Sequence, residues 1–114
     1  MDTLLAELKE YGADVDGAMG RFLDDVDLYK SCFVGFLNDE AFQKLGNAIL
    51  DSDYEKAFEY AHTLKGVTGN MGLTPLYNII CTTVDALRNK DYSCLDKYYA
   101  TIMSHLNLLK KIHI

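Results

Sequence analysis

The sequence predicts an all-α fold, an antiparallel four-helix bundle with short extra N-terminal helices, and three observations carry that prediction. Apolar residues recur at helical spacing over most of the chain, most plainly from Ala57 to Met71 and from Leu95 to Ile112. No segment alternates polar and apolar residues as a half-buried strand would. The breaks between periodic stretches are short and carry turn or capping residues: Gly12, Asp51-Ser52-Asp53, Thr74-Pro75 and Asn89 to Ser93. Connections that short favour antiparallel neighbours.

Composition sets the limits. The 114 residues suit one domain, with a bundle core over about 25–112 and the short helices over about 2–23. A hydrophobic share of 49% with a single proline is globular rather than disordered. No apolar run approaches the roughly 20 residues of a membrane span, and the start of the chain lacks a basic-then-apolar signal pattern. A cytoplasmic monomer with no membrane partner is therefore expected. A net charge of −6 argues against a nucleic-acid partner, which needs a basic surface.

The elements follow in order. Asp2 or Thr3 caps a short helix carrying Leu4, Leu5, Leu8 and Tyr11, and Gly12 stops it. Asp14 or Asp16 opens a second through Phe22 and Leu23, weakened by Gly17 and Gly20. Asp24, Asp25 and Asp27 suit the N-terminal dipole of a longer helix. Leu28, Cys32 and Phe36 with Tyr29, Phe33 and Leu37 fill its apolar side, and the spacing resumes at Ala41, Phe42, Leu45, Ala48 and Ile49. One long helix to Leu50 is expected, with any kink near Gly35 or Asn38-Asp39. Ser52-Asp53-Tyr54-Glu55 matches the capping-box pattern and starts the next helix near Asp53, to end near Asn70 to Gly72. Thr74-Pro75 reads as a cap followed by proline at the first helical position. Leu76, Ile79, Ile80, Thr83, Val84 and Leu87 form that helix's buried side, and Arg88 and Lys90 suit its end. Asp91 or Ser93 opens the last helix, whose stripe runs from Leu95 through Tyr98, Tyr99, Ile102, Met103, Leu106 and Leu109 to Ile112.

Cys32, Cys81 and Cys94 are odd in number and far apart, with no paired zinc spacing. Cys32 and Cys81 sit in apolar stretches and read as buried, reduced thiols. His105 and His113 read as surface or helix-end residues. No metal ligand set and no cofactor of the chain's own is expected.

The helix from Asp53 holds the candidate site. At about 100° per residue, Ala57, Tyr60, Ala61, Leu64, Val67, Thr68 and Met71 share one side. His62 points the other way, with Phe58, Glu59, Lys65, Gly66 and Gly69 near it and Thr63 beside it. Lys65 stands at i+3, where helix side chains meet. Each glycine costs roughly 1 kcal/mol relative to alanine in a helix interior. Two of them beside one histidine are read as access: without Cβ atoms, the surface next to the ring is bare and another protein can come close. Close helix–helix contact is the alternative, disfavoured because both glycines face away from the apolar stripe.

Ala61-His62-Thr63-Leu64-Lys65-Gly66, with Gly69 and Gly72-Leu73 behind it, resembles the signature of histidine-containing phosphotransfer (HPt) domains, the helical relays of multistep two-component signalling. The stretches Asp14 to Phe22, Leu28 to Leu37 and Leu76 to Leu87 resemble the family too, so nearly the whole chain is covered. The resemblance implies that His62 carries a phosphoryl group, that Lys65 lies beside it, and that Gly66 and Gly69 leave room for a receiver domain. The partners it implies are response-regulator receiver domains or a hybrid histidine kinase. The docking surface is read around Glu59, Thr63, Gly66 and Gly69, with Phe58 either part of it or partly covered by the second short helix. One departure stands out. Family members often have glutamate or glutamine on the following helix where this chain has Val84, so another group must orient the ring.

The residues suit that chemistry on their own terms. An ordinary imidazole, with a pKa of about 6.5, is neutral enough near pH 7 to be a nucleophile. Transfer of an anionic, metaphosphate-like group depends on positioning and charge stabilisation, and Lys65 offers one positive charge. With no Walker motif and no acidic triad at Mg²⁺ spacing, the chain reads as a carrier rather than an enzyme, with Mg²⁺ supplied by the receiver. Two other classes stay open at this point: a non-cycling helical adaptor that binds receivers, and a metal-binding bundle. The second needs Glu-x-x-His on several helices, and only Glu59 and His62 have that spacing.

Overall fold

A computed structural model gives the protein's structure and describes residues 3–112. Among them are seven helices and no strand: α1 (Thr3–Tyr11), α2 (Val15–Arg21), α3 (Val26–Leu37), α4 (Ala41–Leu50), α5 (Tyr54–Asn70), α6 (Thr74–Arg88) and α7 (Leu95–Lys110). The last four form the bundle. α5 packs between α4 and α6, α6 packs on α7, and α7 closes back on α4. α1 rests on α2, and α3 packs against α7. Leu64, Leu76, Ile80, Val84, Ile102 and Leu109 lie wholly out of solvent in the core. The buried hydroxyls of Thr68 and Thr83 donate to carbonyls one turn back, at Leu64 and Ile79, so the core carries them without an unpaired polar atom.

Local chemistry sets the helix ends. Gly12 closes α1 with φ +106°, a conformation that a side chain resists. The carboxylates of Asp14, Asp25 and Asp53 accept from the N–H groups of Gly17, Leu28 and Lys56, opening α2, α3 and α5. Asp53, not Ser52, is thus the cap of α5, because Ser52 is turned to φ +55° in the loop. Thr74 likewise does not cap α6. It already lies within the helix, and Leu73 holds the cap position without a side-chain bond. The last helix opens later than expected: Asp91 accepts from the Ser93 N–H and hydroxyl, and α7 begins at Leu95. Two expectations, Asp2 as a cap and His113 as a surface residue, fall outside the described residues.

The long helix expected up to Leu50 is two helices. Asn38-Asp39-Glu40 leaves the helix: the Asn38 amide donates back to the Val34 carbonyl, and the Asp39 carboxylate accepts from the Ala41 N–H that opens α4. Two polar side chains here replace the backbone bonds a continuous helix would make. The apolar side of α3 is also narrower than expected. Tyr29, Phe33 and Phe36 are buried, whereas Leu28 and Cys32 are exposed. Cys81 is half-buried and Cys94 exposed, so neither Cys32 nor Cys81 is the core thiol its apolar neighbours suggested.

Candidate functional site

α5 is held on two sides by α4 and α6, which leaves its third side free. Ala57, Ala61, Leu64 and Thr68 face the core, and the two alanines let the neighbouring helices approach closely. The free side presents His62, Glu59, Thr63 and Gly66 to solvent, with Phe58, Lys65 and Gly69 half-buried along its edges. The Thr63 hydroxyl donates to the Glu59 carbonyl at 3.0 Å and so is engaged with its own helix.

The ring of His62 has an aromatic neighbour. Phe58 stacks against it with centroids 5.7 Å apart and planes 26° from parallel. The Arg88 guanidinium, from α6, sits 5.6 Å above the Phe58 ring, a cation–π distance, and lies 3.6 Å from the Asp85 carboxylate. Val84 is wholly buried in the core. The contact that restrains the imidazole therefore comes from the preceding turn of its own helix. Phe58 also lines a larger groove of about 520 Å³ with Tyr54, Leu87, Arg88 and Tyr92, next to His62 but not including it.

On its other side His62 opens into a shallow concavity of about 300 Å³, shared with Lys65, Gly66, Gly69, Asn70 and Tyr77. The two glycines differ. A Cβ at Gly66 would meet nothing within 4 Å, so this is bare surface. A Cβ at Gly69 would stand 3.2 Å from Cε2 of Tyr77, whose ring fills the space that the missing side chain leaves. The bare surface expected at both glycines thus exists at Gly66, while Gly69 lets a side chain of α6 close over α5.

The end of α5 is fastened by the N-terminal elements. Arg21 donates from Nε to the Asn70 carbonyl at 2.9 Å and from Nη2 to the Gly69 carbonyl at 3.1 Å. Tyr29 donates to the Met71 carbonyl at 2.7 Å, and burial pushes its phenol pKa well up. The Asp14 N–H donates to the Gly72 carbonyl at 2.8 Å, where Gly72 has φ +69° and a Cβ would run into the Asp14 carbonyl. Carbonyls that a helix end leaves unpaired are satisfied here by α2, α3 and the loop between α1 and α2. A guanidinium at that end also matches the helix dipole.

Compared with protein-family models, the chain matches the Hpt domain over residues 37–93, half of its length. This Chain belongs to the Hpt family. The match spans α4, α5 and α6 and includes His62, Lys65, Gly66 and Gly69. Hpt domains are phosphotransfer carriers of two-component signalling that interact with receiver domains and histidine kinases, and a histidine phosphotransfer role is this domain's. Neither the curated proteins nor the solved structures provide a match. No described helix is long and apolar enough to cross a membrane.

The sequence reading missed Tyr77, Arg88 and Arg21. A signal for the first two was present. Gly69 and Tyr77 are each four residues from Leu73 in the α5–α6 turn, and Phe58 and Arg88 are each fifteen from it. Counting outward from the turn of an antiparallel hairpin pairs them. Arg21 has no such signal, because its partners are backbone carbonyls far along the chain.

Proposed function

We propose that this Hpt domain is a phosphorelay intermediate in which His62 accepts a phosphoryl group from the aspartate of one receiver domain, or from a kinase, and passes it to the aspartate of another. The observation that carries the reading is an exposed imidazole on the free side of α5, backed by Phe58 and sharing one concavity with Lys65 and the open Gly66. The lone pair of a ring nitrogen attacks phosphorus. The P–O bond of the aspartyl phosphate breaks, and its electron pair stays on the carboxylate. The next receiver reverses the step: its carboxylate attacks and the N–P bond breaks. Stacking on Phe58 limits the ring's rotation, which favours in-line attack. The Lys65 ammonium offsets charge on the phosphoryl oxygens. Gly66 leaves the receiver a flat approach. Mg²⁺ enters with the receiver's acidic side chains; among the described residues of this chain no three His, Cys, Asp or Glu gather as a ligand set.

The test uses a phosphorylated receiver, a small phosphodonor and two variants. Wild type is expected to gain acid-labile phosphate, and His62→Gln to gain none while melting like wild type, since the position faces away from the core. Lys65→Ala is expected to keep stability within about 0.5 kcal/mol and to transfer more slowly. Labelled His105 or His113 in His62→Gln would overturn the assignment. A wild-type protein that binds receivers without ever gaining phosphate is the adaptor.

A further inference from the structure

We infer that Tyr77 is a further catalytic residue of this site, its hydroxyl donating a hydrogen bond to the phosphoryl group carried by His62. This rests on His62 being the carrier. The register between α5 and α6 places the phenol. Tyr54 stacks on Tyr92 at 3.6 Å, Arg88 lies over Phe58 at 5.6 Å, and the Tyr77 ring lies 3.2 Å from where a Cβ of Gly69 would stand. All three pairs are symmetric about Leu73; the last two lie on α5 and α6 themselves and set the register between the helices, while Tyr92 follows the end of α6. That register sets Cys81, one turn along α6 from Tyr77, across from Lys65. The Tyr77 ring lies over Gly69, and Tyr77 lines the same concavity as His62, Lys65 and Gly66. The phenol therefore borders the space beside the His62 ring into which a phosphoryl group projects.

The chemistry of the partner fits. A phenol hydroxyl rotates freely to the best acceptor within reach. An anionic phosphoryl oxygen is a strong one, because hydrogen bonds to ionised groups are about twice as strong as neutral ones. The Cys81 thiol beside the phenol raises its pKa, so the donor keeps its proton at neutral pH. Tyr77 makes and breaks no covalent bond. Lys65 reaches the phosphoryl group from α5 and Tyr77 from α6, and Gly69 is the residue that lets the second helix come in. A side chain at position 69 pushes the ring off its place.

Tyr77→Phe isolates the hydroxyl, because the ring over Gly69 is kept. Wild type and variant are each equilibrated with one phosphorylated receiver, and each is separately labelled with phosphoramidate, a small donor that needs no docking surface. The share of phosphoryl group on His62 against the receiver is expected to fall about 10- to 100-fold in Tyr77→Phe, the range for losing one hydrogen bond to a charged group. Labelling by the small donor is expected to slow as well, since the lost bond is to the phosphoryl group itself, and the variant is expected to melt as wild type does. An unchanged share, or an unchanged rate with phosphoramidate, overturns the inference; a slower approach to equilibrium with the receiver at an unchanged share makes Tyr77 a docking residue. A wild-type protein that takes no phosphate on His62 overturns both this inference and the relay reading. A wild type labelled on His62 with an unchanged Tyr77→Phe overturns this inference alone.

Discussion

Two glycines three residues apart on one helix face opposite surroundings, and substitutions at them should part accordingly. Gly66 has nothing near its absent Cβ, whereas Gly69 has the Tyr77 ring at 3.2 Å. Gly66→Ala should raise stability by up to roughly 1 kcal/mol, the ordinary helix preference for alanine. Gly69→Ala should gain less, because Tyr77 must move by a few tenths of an ångström to admit the methyl group. Gly66→Leu should melt normally yet transfer poorly to a receiver, since its side chain stands beside His62, where a misplacement of about 1 Å costs on the order of a hundredfold in rate. Denaturant melts and receiver transfer on the same four proteins (wild type included) check this; equal gains from the two alanines would mean that Tyr77 does not restrain Gly69. Both glycines look alike in the sequence for a physical reason. A helical wheel describes one helix, and it placed His62, Lys65 and Gly66 on the outer side where they are found. What reaches over from the next helix depends on the register between two helices, which the wheel omits.

At the scale of elements, the N-terminal helices act as the clamp on the end of α5. Arg21 holds the Gly69 and Asn70 carbonyls, Tyr29 the Met71 carbonyl, and the Asp14 N–H that of Gly72. Arg21→Ala should lower stability by about 1 kcal/mol, as for a lost helix cap or a hydrogen bond to a charged donor. Its distinctive mark should be local. Amides at the end of α5, from Asn70 to Leu73, should exchange faster than those of α6 and α7 relative to wild type. Uniform acceleration across all helices would make Arg21 an ordinary contributor to global stability. The helix boundaries themselves were legible where a single side chain decides them, at Gly12 and Asp25 for example. They were not where apolar periodicity runs in phase through a break. Phe36, Leu37, Ala41 and Phe42 keep the spacing of one helix, and only the bonds of Asn38 and Asp39 divide it.

The fold class of the whole molecule was readable because periodicity and short connections constrain a bundle strongly. How the beginning of the chain meets its end was not, since that contact joins residues 94 apart. Tyr11, closing α1, shares a 2.9 Å hydrogen bond with Nδ1 of His105 on α7, and the rings meet edge to face with centroids 5.7 Å apart. His105 is thus a half-buried packing residue rather than the surface residue its place in the sequence suggested. Burial pushes the Tyr11 phenol up to about 12 and holds the His105 imidazole below its ordinary range. The bond runs from the phenol O–H to Nδ1 or from Nδ1–H to the phenol oxygen according to the His105 tautomer, and burial favours the neutral imidazole in both cases. The sign of the pH dependence follows. As pH falls below about 6.5 the unfolded chain takes up a proton on His105 before the folded one does. The stability that burial of the neutral ring provides is full above that pH and is lost as pH falls through the folded value. Between pH 6.5 and about 5, above the range where carboxylates dominate, the melting temperature of wild type should fall more steeply than that of His105→Gln. Taking the difference between the two proteins cancels every other titrating group. Tyr11→Phe, which keeps the edge contact and the burial of the ring but loses the hydrogen bond, should weaken the junction at neutral pH. If wild type and His105→Gln lose stability in parallel across that window, the junction of α1 and α7 holds regardless of the proton on His105.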